Sequence, residues 1–454
     1  VGELMDNIKF WQWMLVIGTS ILLIFLSPLA KSASQFFTAK KNGRTPNFWV
    51  LSGSLVISWV FAKSIANASD LGFRFGTVGG LAYAAYYVSF IVAGIIIYRM
   101  RTKGGILSIH SFLGDKFGRT ALILFSVVIA IRLFNEVWSN TMVIGYYFGE
   151  YGSVSFYAAV LLFTALTLVY SLKGGLSSSI FSDVIQMVLF GVLLVAILWV
   201  FNATGSEKID VVLQQGEFSI NGGINLLLVG LLHSFSYPFH DPVMTDRGFI
   251  SPPKTTLWSF ITAGIIGGAL IFLFSLVGVF GKLNGAASSD LSKFGELFGP
   301  IMLLLINFIM IVSAASTLDS SFSSASKLIA VDLKQGATLK IGRWSMFIFA
   351  VAGTIPLFFH PEILSATTIS GAMVIGLTPI FICWKLRAPK ISYYLSMTVG
   401  IVFGIIAAMG VFPEKFVLLD GPYAELLSTT VIGLFSCFIV YFIPIVWQKY
   451  VYGK

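Results

Sequence analysis

Charge is what this 454-residue chain has least of: Asp, Glu, Lys and Arg together make up 11% of it, against about 25% in ordinary soluble domains. So few charged side chains leave too little polar surface to face water on every side, which excludes a soluble enzyme or binding domain. Cysteine is nearly absent. Cys383 and Cys437 both lie in apolar surroundings without ligand spacing, which excludes a disulfide framework and a zinc site. The four histidines are dispersed, so an intramembrane enzyme would have no histidine metal cluster to work with. Gly104-Gly105 and His110 fall in a basic segment that lacks the Walker spacing of a phosphate loop.

What is present is hydrophobic residues, 57% of the chain, in long uncharged runs such as 255–281 between Lys254 and Lys282. That run exceeds the roughly 20 residues needed to cross a bilayer. Thirteen spans are expected at about 11–29, 48–72, 77–98, 120–147, 154–171, 179–201, 223–246, 256–281, 300–330, 344–358, 366–384, 391–411 and 426–448. Residues 1–10 carry no cleavable signal pattern. No span-free run is long enough for a soluble catalytic domain, and the segment 99–119 mixes apolar and basic residues as an interfacial turn does.

The formal charge of +9 is distributed as a topology signal, not as a nucleic-acid footprint. With the N-terminus outside, 20 of the 29 basic residues fall in cytoplasmic segments, from Lys31 to Lys454, and the outer segments gather Glu207, Asp210, Glu217, Glu414, Asp420 and Glu425. The reverse orientation violates the positive-inside rule in nearly every loop. An N-out, C-in chain is therefore expected.

Polar groups inside the spans are few, and each is costly enough to need a reason. Ser313, Ser316, Thr317 and Ser320 recur at helical spacing and line one face, with Asp319 and Ser323 beside it. Span 2 carries Lys63, Asn67, Ser69 and Asp70; span 4 carries Arg132 and Glu136, four apart and able to pair. Span 6 opens with Ser182, Asp183 and Gln186, where Asp183 has the alternative reading of a helix cap. Span 7 contains Tyr237, Phe239, His240 and Asp241 beside Pro238 and Pro242, which interrupt the backbone ladder. Spans 2 and 7 both look discontinuous and stand five apart, the pattern of an inverted-repeat transporter.

The chain resembles the sodium/solute symporter family, which includes the bacterial proline, sialic acid and galactose carriers. Four places carry the resemblance: the broken span 2; YSLKGGLSSSIFSDVIQ at 170–186; DPVMTDR at 241–247; and SAASTLDSSFSSAS at 313–326 followed by Asp332. It implies an all-α, LeuT-like five-plus-five fold in one transporter domain, 1–454. Residues 48–201 and 223–384 would be the two repeats, with a peripheral helix at 11–29 and peripheral C-terminal helices over 391–448. It implies secondary active, sodium-coupled transport of a small polar solute, with sodium as coupling ion and no other cofactor; the excess positive charge near span 2 favours an anionic or zwitterionic solute over a neutral sugar. The expected setting is a bacterial inner membrane, with lipid around a monomer.

The same resemblance implies a sodium site from the carbonyls of Ala62, Ile65 and Ser313 and the hydroxyls of Ser316 and Thr317. A second cation or proton site would use Asp183, Ser316, Asp319 and Ser320. An alternative register of span 2 puts Asp70 beside sodium instead. Lys63, Ser69, Asp70, Glu136, Tyr237, Phe239, His240 and Asp241 are the candidates for solute contact or gating. Lys63 either imitates a bound cation, carries a proton, snorkels along its helix or pairs with Glu136. Proton-coupled or ion-independent transport through Lys63 or Asp183/Asp319 is the alternative function, and a non-transporting membrane sensor is a second.

Overall fold

The computed structural model describes residues 7–40, 44–204, 209–333, 336–359 and 365–452. Lys41, Glu207, Lys208, Lys334 and Lys454, part of the charge-topology argument, lie outside them. Among the described residues ten helical runs are long and apolar enough to cross a membrane. They belong to a bundle whose helices, in chain order, are α1 (Ile8–Leu26), α2 (Ala33–Thr38), α3 (Phe48–Trp59), α4 (Ala62–Ala84), α5 (Val88–Gly104), α6 (Ile109–Phe117), α7 (Arg119–Tyr146), α8 (Val154–Gly174), α9 (Leu176–Thr204) and α10 (Ile209–Leu213). There follow α11 (Ile224–His233), α12 (Pro242–Arg247), α13 (Pro253–Leu283), α14 (Phe294–Phe298), α15 (Pro300–Lys327), α16 (Leu339–Thr354), α17 (Ser365–Met373), α18 (Leu377–Ile382), α19 (Lys390–Met409) and α20 (Ala424–Tyr452).

The two interruptions expected from sequence are present. Asn47 caps α3 by accepting from the Val50 N–H at 3.0 Å, and the helix stops where Val60 (ψ 68°) and Phe61 (ψ 150°) leave helical geometry. Helical geometry resumes at Ala62. In the other interruption α11 ends at His233, a short turn spans Tyr237–Phe239, and α12 begins at Pro242 with Asp241 as its cap. Pro238 and Pro242 each remove an N–H that a continuous helix would need.

The turn expected between 72 and 77 falls at Gly76, where φ is 65° and ψ −148°. This conformation is cheap only for glycine, and it lets the second part of α4 fold back along the first. The Asn67 amide donates to the Tyr83 hydroxyl at 3.2 Å, and that hydroxyl donates to Ser64 Oγ at 3.3 Å. The expected span 366–384 is instead two short helices, α17 and α18, separated at 374–376. Asp183 sits in the second turn of α9, which begins at Leu176, so it is no N-cap.

α15 runs through the centre of the bundle, buried at every residue from Ile309 to Ser326, and packs against α3, α7, α8, α9 and α16. The Ser- and Thr-rich composition that makes it a weak helix in water is no handicap here, because no water competes for its backbone. α4 and α13 approach closely through small residues. A Cβ on Gly278 would lie 1.8 Å from the Ser69 carbonyl oxygen, and one on Gly72 would lie 2.1 Å from that of Ser275. Gly278→Ala is therefore expected to lower thermal stability by about 1–3 kcal/mol through forced helix separation. Gly18→Ala, with nothing within 4 Å, is the neutral control in the same thermal-unfolding measurement.

Candidate functional site

Two buried polar clusters fill the space between the interrupted helices and their neighbours. The first joins the α3–α4 break to α7 and to the α11–α12 break. Lys63 Nζ donates to Glu136 Oε1 at 2.5 Å, and Arg132, one turn earlier on α7, pairs with the same oxygen. Arg132 Nη2 reaches across to Asp241 Oδ2 at 3.0 Å, where the Trp59 indole N–H also donates at 2.9 Å. Asn140 donates to Glu136 Oε2 at 3.0 Å and accepts from the Lys63 backbone N–H at 3.2 Å. Two positive and two negative side chains, none more than 3% exposed, thus form one electrically balanced network. Balance matters: removing ions from water costs several kcal/mol each, and only close pairing offsets it.

Aromatic rings wall this network. Arg132 lies over the Tyr237 and Phe61 rings at 5.2 and 5.6 Å, and Lys63 over Phe61 at 5.1 Å. The Trp59 carbonyl, released at the helix break, accepts from the Tyr87 hydroxyl at 2.6 Å. Among the described residues Arg132 Nε has no hydrogen-bond partner, and neither does His240 Nε2. His240 Nδ1 is 2.6 Å from the Tyr237 carbonyl and donates to it. The nitrogen left over on His240 is then an acceptor. Arg132 and His240 both border a cavity of about 20 Å³ that Ser370, Met373 and Val374 also line. A buried donor and a buried acceptor therefore flank one small cavity.

The second cluster lies between α3, α9, α12 and α15. Ser316 Oγ donates to Asp183 Oδ1 at 2.6 Å, and Ser54 Oγ to Asp183 Oδ2 at 2.5 Å. Ser182 Oγ donates to Asp319 Oδ2 at 2.7 Å, while Asp319 Oδ1 has no partner among the described residues. Into this group comes Arg247, fully buried, its Nη2 2.9 Å from Asp183 Oδ2.

The remaining predicted residues are placed as follows. Ala62 and Ile65 occupy the first turn of α4 and are fully buried. Thr317 Oγ1 donates to the Ser313 carbonyl at 2.9 Å, so those two oxygens are adjacent on α15, and Ser313 Oγ is unpartnered. Asp70 lies two turns beyond the break, where it accepts from Ser289 at 2.6 Å and stands 3.6 Å from Arg74. That position does not bring it to the interruption, as the alternative register required. Ser69 Oγ is buried without a partner. Phe239 stacks on Phe381 at 4.1 Å and belongs to the apolar core. Arg132, Trp59, Asn140 and Ser54 were not among the expected site residues, and Arg247 was expected only to tie the end of span 7 together with Asp241. Arg132 carried a signal in its spacing to Glu136; Ser54 carried none.

At the α6 end of the bundle Lys327 bridges Asp246 at 2.6 Å and Asp332 at 3.3 Å. His110 Nδ1 is 3.5 Å from Asp332. Burial, reinforced by Lys327, pulls the His110 pKa down to about 4 from 6.5, so the imidazole is neutral at pH 7 and this contact is no ion pair. Between pH 6.5 and 4 the unfolded chain binds the extra proton. Stability is then expected to fall as pH drops through that window, by up to about 3 kcal/mol. His110→Gln should flatten this slope in unfolding measured across pH.

The sodium:solute symporter family model matches residues 36–244. Mouse solute carrier family 5 member 4A is 26% identical over 245 residues, 49% of this chain and 35% of that protein. The urea active transporter of Saccharomyces cerevisiae is 21% identical over 58% of this chain and 38% of that protein. The sodium/glucose cotransporter of Vibrio parahaemolyticus is 27% identical over 35% of this chain and 28% of its own length. The chain thus aligns with about a third of each relative's length. Among solved structures, a substrate-bound, outward-open sodium-coupled sialic acid symporter superposes with a TM-score of 0.70 at 15% identity, covering 95% of this chain and 96% of that one. A nucleobase-cation-symport-1 family transporter, closed with bromovinylhydantoin bound, gives 0.61 at 12% identity over 93% and 96%. These likenesses show a LeuT-like, polytopic α-helical membrane fold.

Proposed function

We infer that this chain, which the sodium:solute symporter family model matches over residues 36–244, is a secondary active transporter of that family that moves a small polar solute by alternating access, coupled to sodium. The observation that carries the reading is the pair of helix interruptions at 60–61 and 234–241, bridged across the bundle by the charge chain Lys63–Glu136–Arg132–Asp241 and by the Trp59 N–H on Asp241. Charges are costly inside a membrane and mark pathways when they occur there. Here they sit at the only kind of backbone, an interrupted helix buried in protein, that frees polar groups for a ligand at that depth.

The sodium site of this reading is made by the carbonyls of Ala62, Ile65 and Ser313 with the hydroxyls of Ser316 and Thr317. Their chemistry fits a hard monovalent cation: all are oxygens, none is charged, and a site of that kind releases its ion readily enough for turnover. The solute is anionic or zwitterionic, anchored by Arg132, whose Nε has no acceptor among the described residues. Thirteen spans, repeats over 48–201 and 223–384, an outside N-terminus and a bacterial inner membrane complete the proposal; the α6 end is then cytoplasmic. Uptake of a solute panel into proteoliposomes, with and without an inward sodium gradient, tests it. Equal uptake under both conditions rejects sodium coupling.

One observation favours a second reading of the coupling ion. The Lys63 amine, at the second residue of the resumed helix, lies 2.5 Å from Glu136 and supplies a group able to gain and lose a proton beside the proposed sodium position. In that reading protons drive uptake. A pH gradient would then support uptake in sodium-free buffer, and Lys63→Ala would abolish the pH-driven component.

A further inference from the structure

The end of the bundle that carries α6 gathers positive charge that the protein does not neutralise. The loop 383–389, between α18 and α19, runs past two open grooves of about 370 and about 440 Å³, which share Trp384, Lys385 and Leu386. Arg99 and Lys103 of α5 also line the first groove, and Lys116 of α6 and Arg387 the second. Among the described residues no carboxylate lines either one. Nor do these five basic side chains make an ion pair with any described residue. The buried cations Lys63, Arg132, Arg247 and Lys327, by contrast, all have carboxylate partners.

The grooves are built around a fixed centre. Lys116 Nζ donates to the Trp384 carbonyl at 2.6 Å and lies over the Phe112 and Phe117 rings at 5.2 and 5.3 Å. The Trp384 indole packs onto the end of α5, where a Cβ on Gly104 would lie 2.7 Å from it, and Lys385 Nζ sits 5.5 Å from the same ring. Burial pulls the Lys116 pKa down from 10.5 to about 8, a cost that an anion beside it would offset. Next to the basic side chains the surface turns aliphatic. Exposed Ile95 stands one turn before Arg99 on α5, exposed Ile382 and Leu386 line the grooves, and exposed Ile391 and Leu395 share one face of α19. On α20, exposed Trp447 precedes Gln448, which lines the second groove. Tryptophan favours the membrane–water interface.

We propose that these grooves bind the headgroup of an anionic phospholipid, with its phosphate among Arg99, Lys103, Lys385 and Arg387 and its acyl chains along the neighbouring aliphatic side chains. A phosphate offers several acceptor oxygens, which guanidinium forks meet two at a time and ammonium groups meet as point charges. Basic clusters at the ends of membrane helices attract anionic headgroups for this reason. The aliphatic surface that continues from the grooves selects a lipid over a free phosphate, which gains nothing from it. In the topology proposed above this end is cytoplasmic, so the lipid belongs to the inner leaflet; the binding itself does not depend on that orientation, nor on the solute or the coupling ion. The site stands apart from the interrupted helices. It gives the transporter a lipid requirement without entering the solute path.

Thermal unfolding of the full chain, purified and delipidated in nonionic detergent and potassium buffer, reads this when phosphatidylglycerol is titrated in. The midpoint is expected to rise with phosphatidylglycerol and to stay in place with phosphatidylcholine, whose headgroup has no net charge. Potassium phosphate at the same concentration should give no rise. Lys385→Gln combined with Arg387→Gln should weaken the phosphatidylglycerol affinity roughly thirtyfold. Lys254→Gln combined with Lys340→Gln removes the same charge from two exposed residues outside the grooves and should leave that affinity unchanged. A midpoint that ignores phosphatidylglycerol, or responds equally to phosphatidylcholine, overturns the proposal. An equal response to potassium phosphate makes this a site for free anions and overturns the lipid assignment. Equal weakening by the two double variants shows attraction to net charge alone and overturns it too.

Discussion

Replacing Arg132 with alanine is expected to abolish solute uptake and to destabilise the protein by about 3–5 kcal/mol, the cost of leaving buried partners unpaired. Both carboxylates it serves lose their bridging cation. Asp241 Oδ2 keeps only the Trp59 N–H, and Glu136 keeps Lys63 and Asn140. The damage spreads because Asp241 also caps α12 through the Met244 N–H at 3.1 Å, so a shift of its carboxylate moves the second interruption. A double substitution separates charge from fold. Lys63→Met with Glu136→Leu removes one ion of each sign and leaves Arg132 paired with Asp241. Replacing a buried ion pair by apolar groups is close to neutral. Thermal unfolding should therefore stay near the wild-type midpoint while sodium-driven uptake is lost. Recovery of full uptake in that double variant would show that the Lys63–Glu136 pair only braces the break.

Thr317→Ala combined with Ser316→Ala is expected to remove sodium-dependent stabilisation. In the proposed site these are the two side-chain ligands; the other three are backbone carbonyls that substitution cannot delete. At a sodium concentration 100 times its dissociation constant, a single site stabilises by about 2.7 kcal/mol. The wild type should therefore unfold at a higher temperature in sodium than in potassium, and the double variant at the same temperature in both. Ser316 also donates to Asp183, so the variant will be less stable in potassium than the wild type. The diagnostic quantity is the sodium–potassium difference within each protein. A double variant that keeps that difference locates sodium elsewhere.

Much of the architecture was legible before any coordinates. Hydropathy alone reports membrane spans because a bilayer tolerates only long apolar helices. Pro238, Pro242 and the glycine-rich segment near Gly76 mark interruptions through local backbone chemistry, which depends on near neighbours in sequence. The departures have the same local character. The 366–384 stretch is apolar enough to resemble one span, but its helix is lost at 374–376. Asp183 resembled a cap because the α9 start at Leu176 follows Gly175, whose positive φ of 56° lets the helix begin earlier than the apolar pattern indicates.

The site was legible only in part. The hydroxyl stripe of α15 announced itself by periodicity, and Arg132 and Glu136 by their spacing of four. No local rule joins Arg132 to Asp241 across 109 residues, Lys63 to Glu136 across 73, or Arg247 to Asp183 across 64. Serines look alike in sequence, yet Ser54 faces a buried carboxylate and guanidinium while Ser69 Oγ meets no partner at all. The sequence by itself determined a polytopic membrane protein with two broken helices and a polar face at its centre, because hydrophobicity, helix period and proline act over a few residues. Which charges neutralise one another, and that Arg247 packs against Asp183 and Ser320, only the tertiary structure decided. Those outcomes depend on how distant helices pack, and a buried charge selects whichever opposite charge the packing brings within reach.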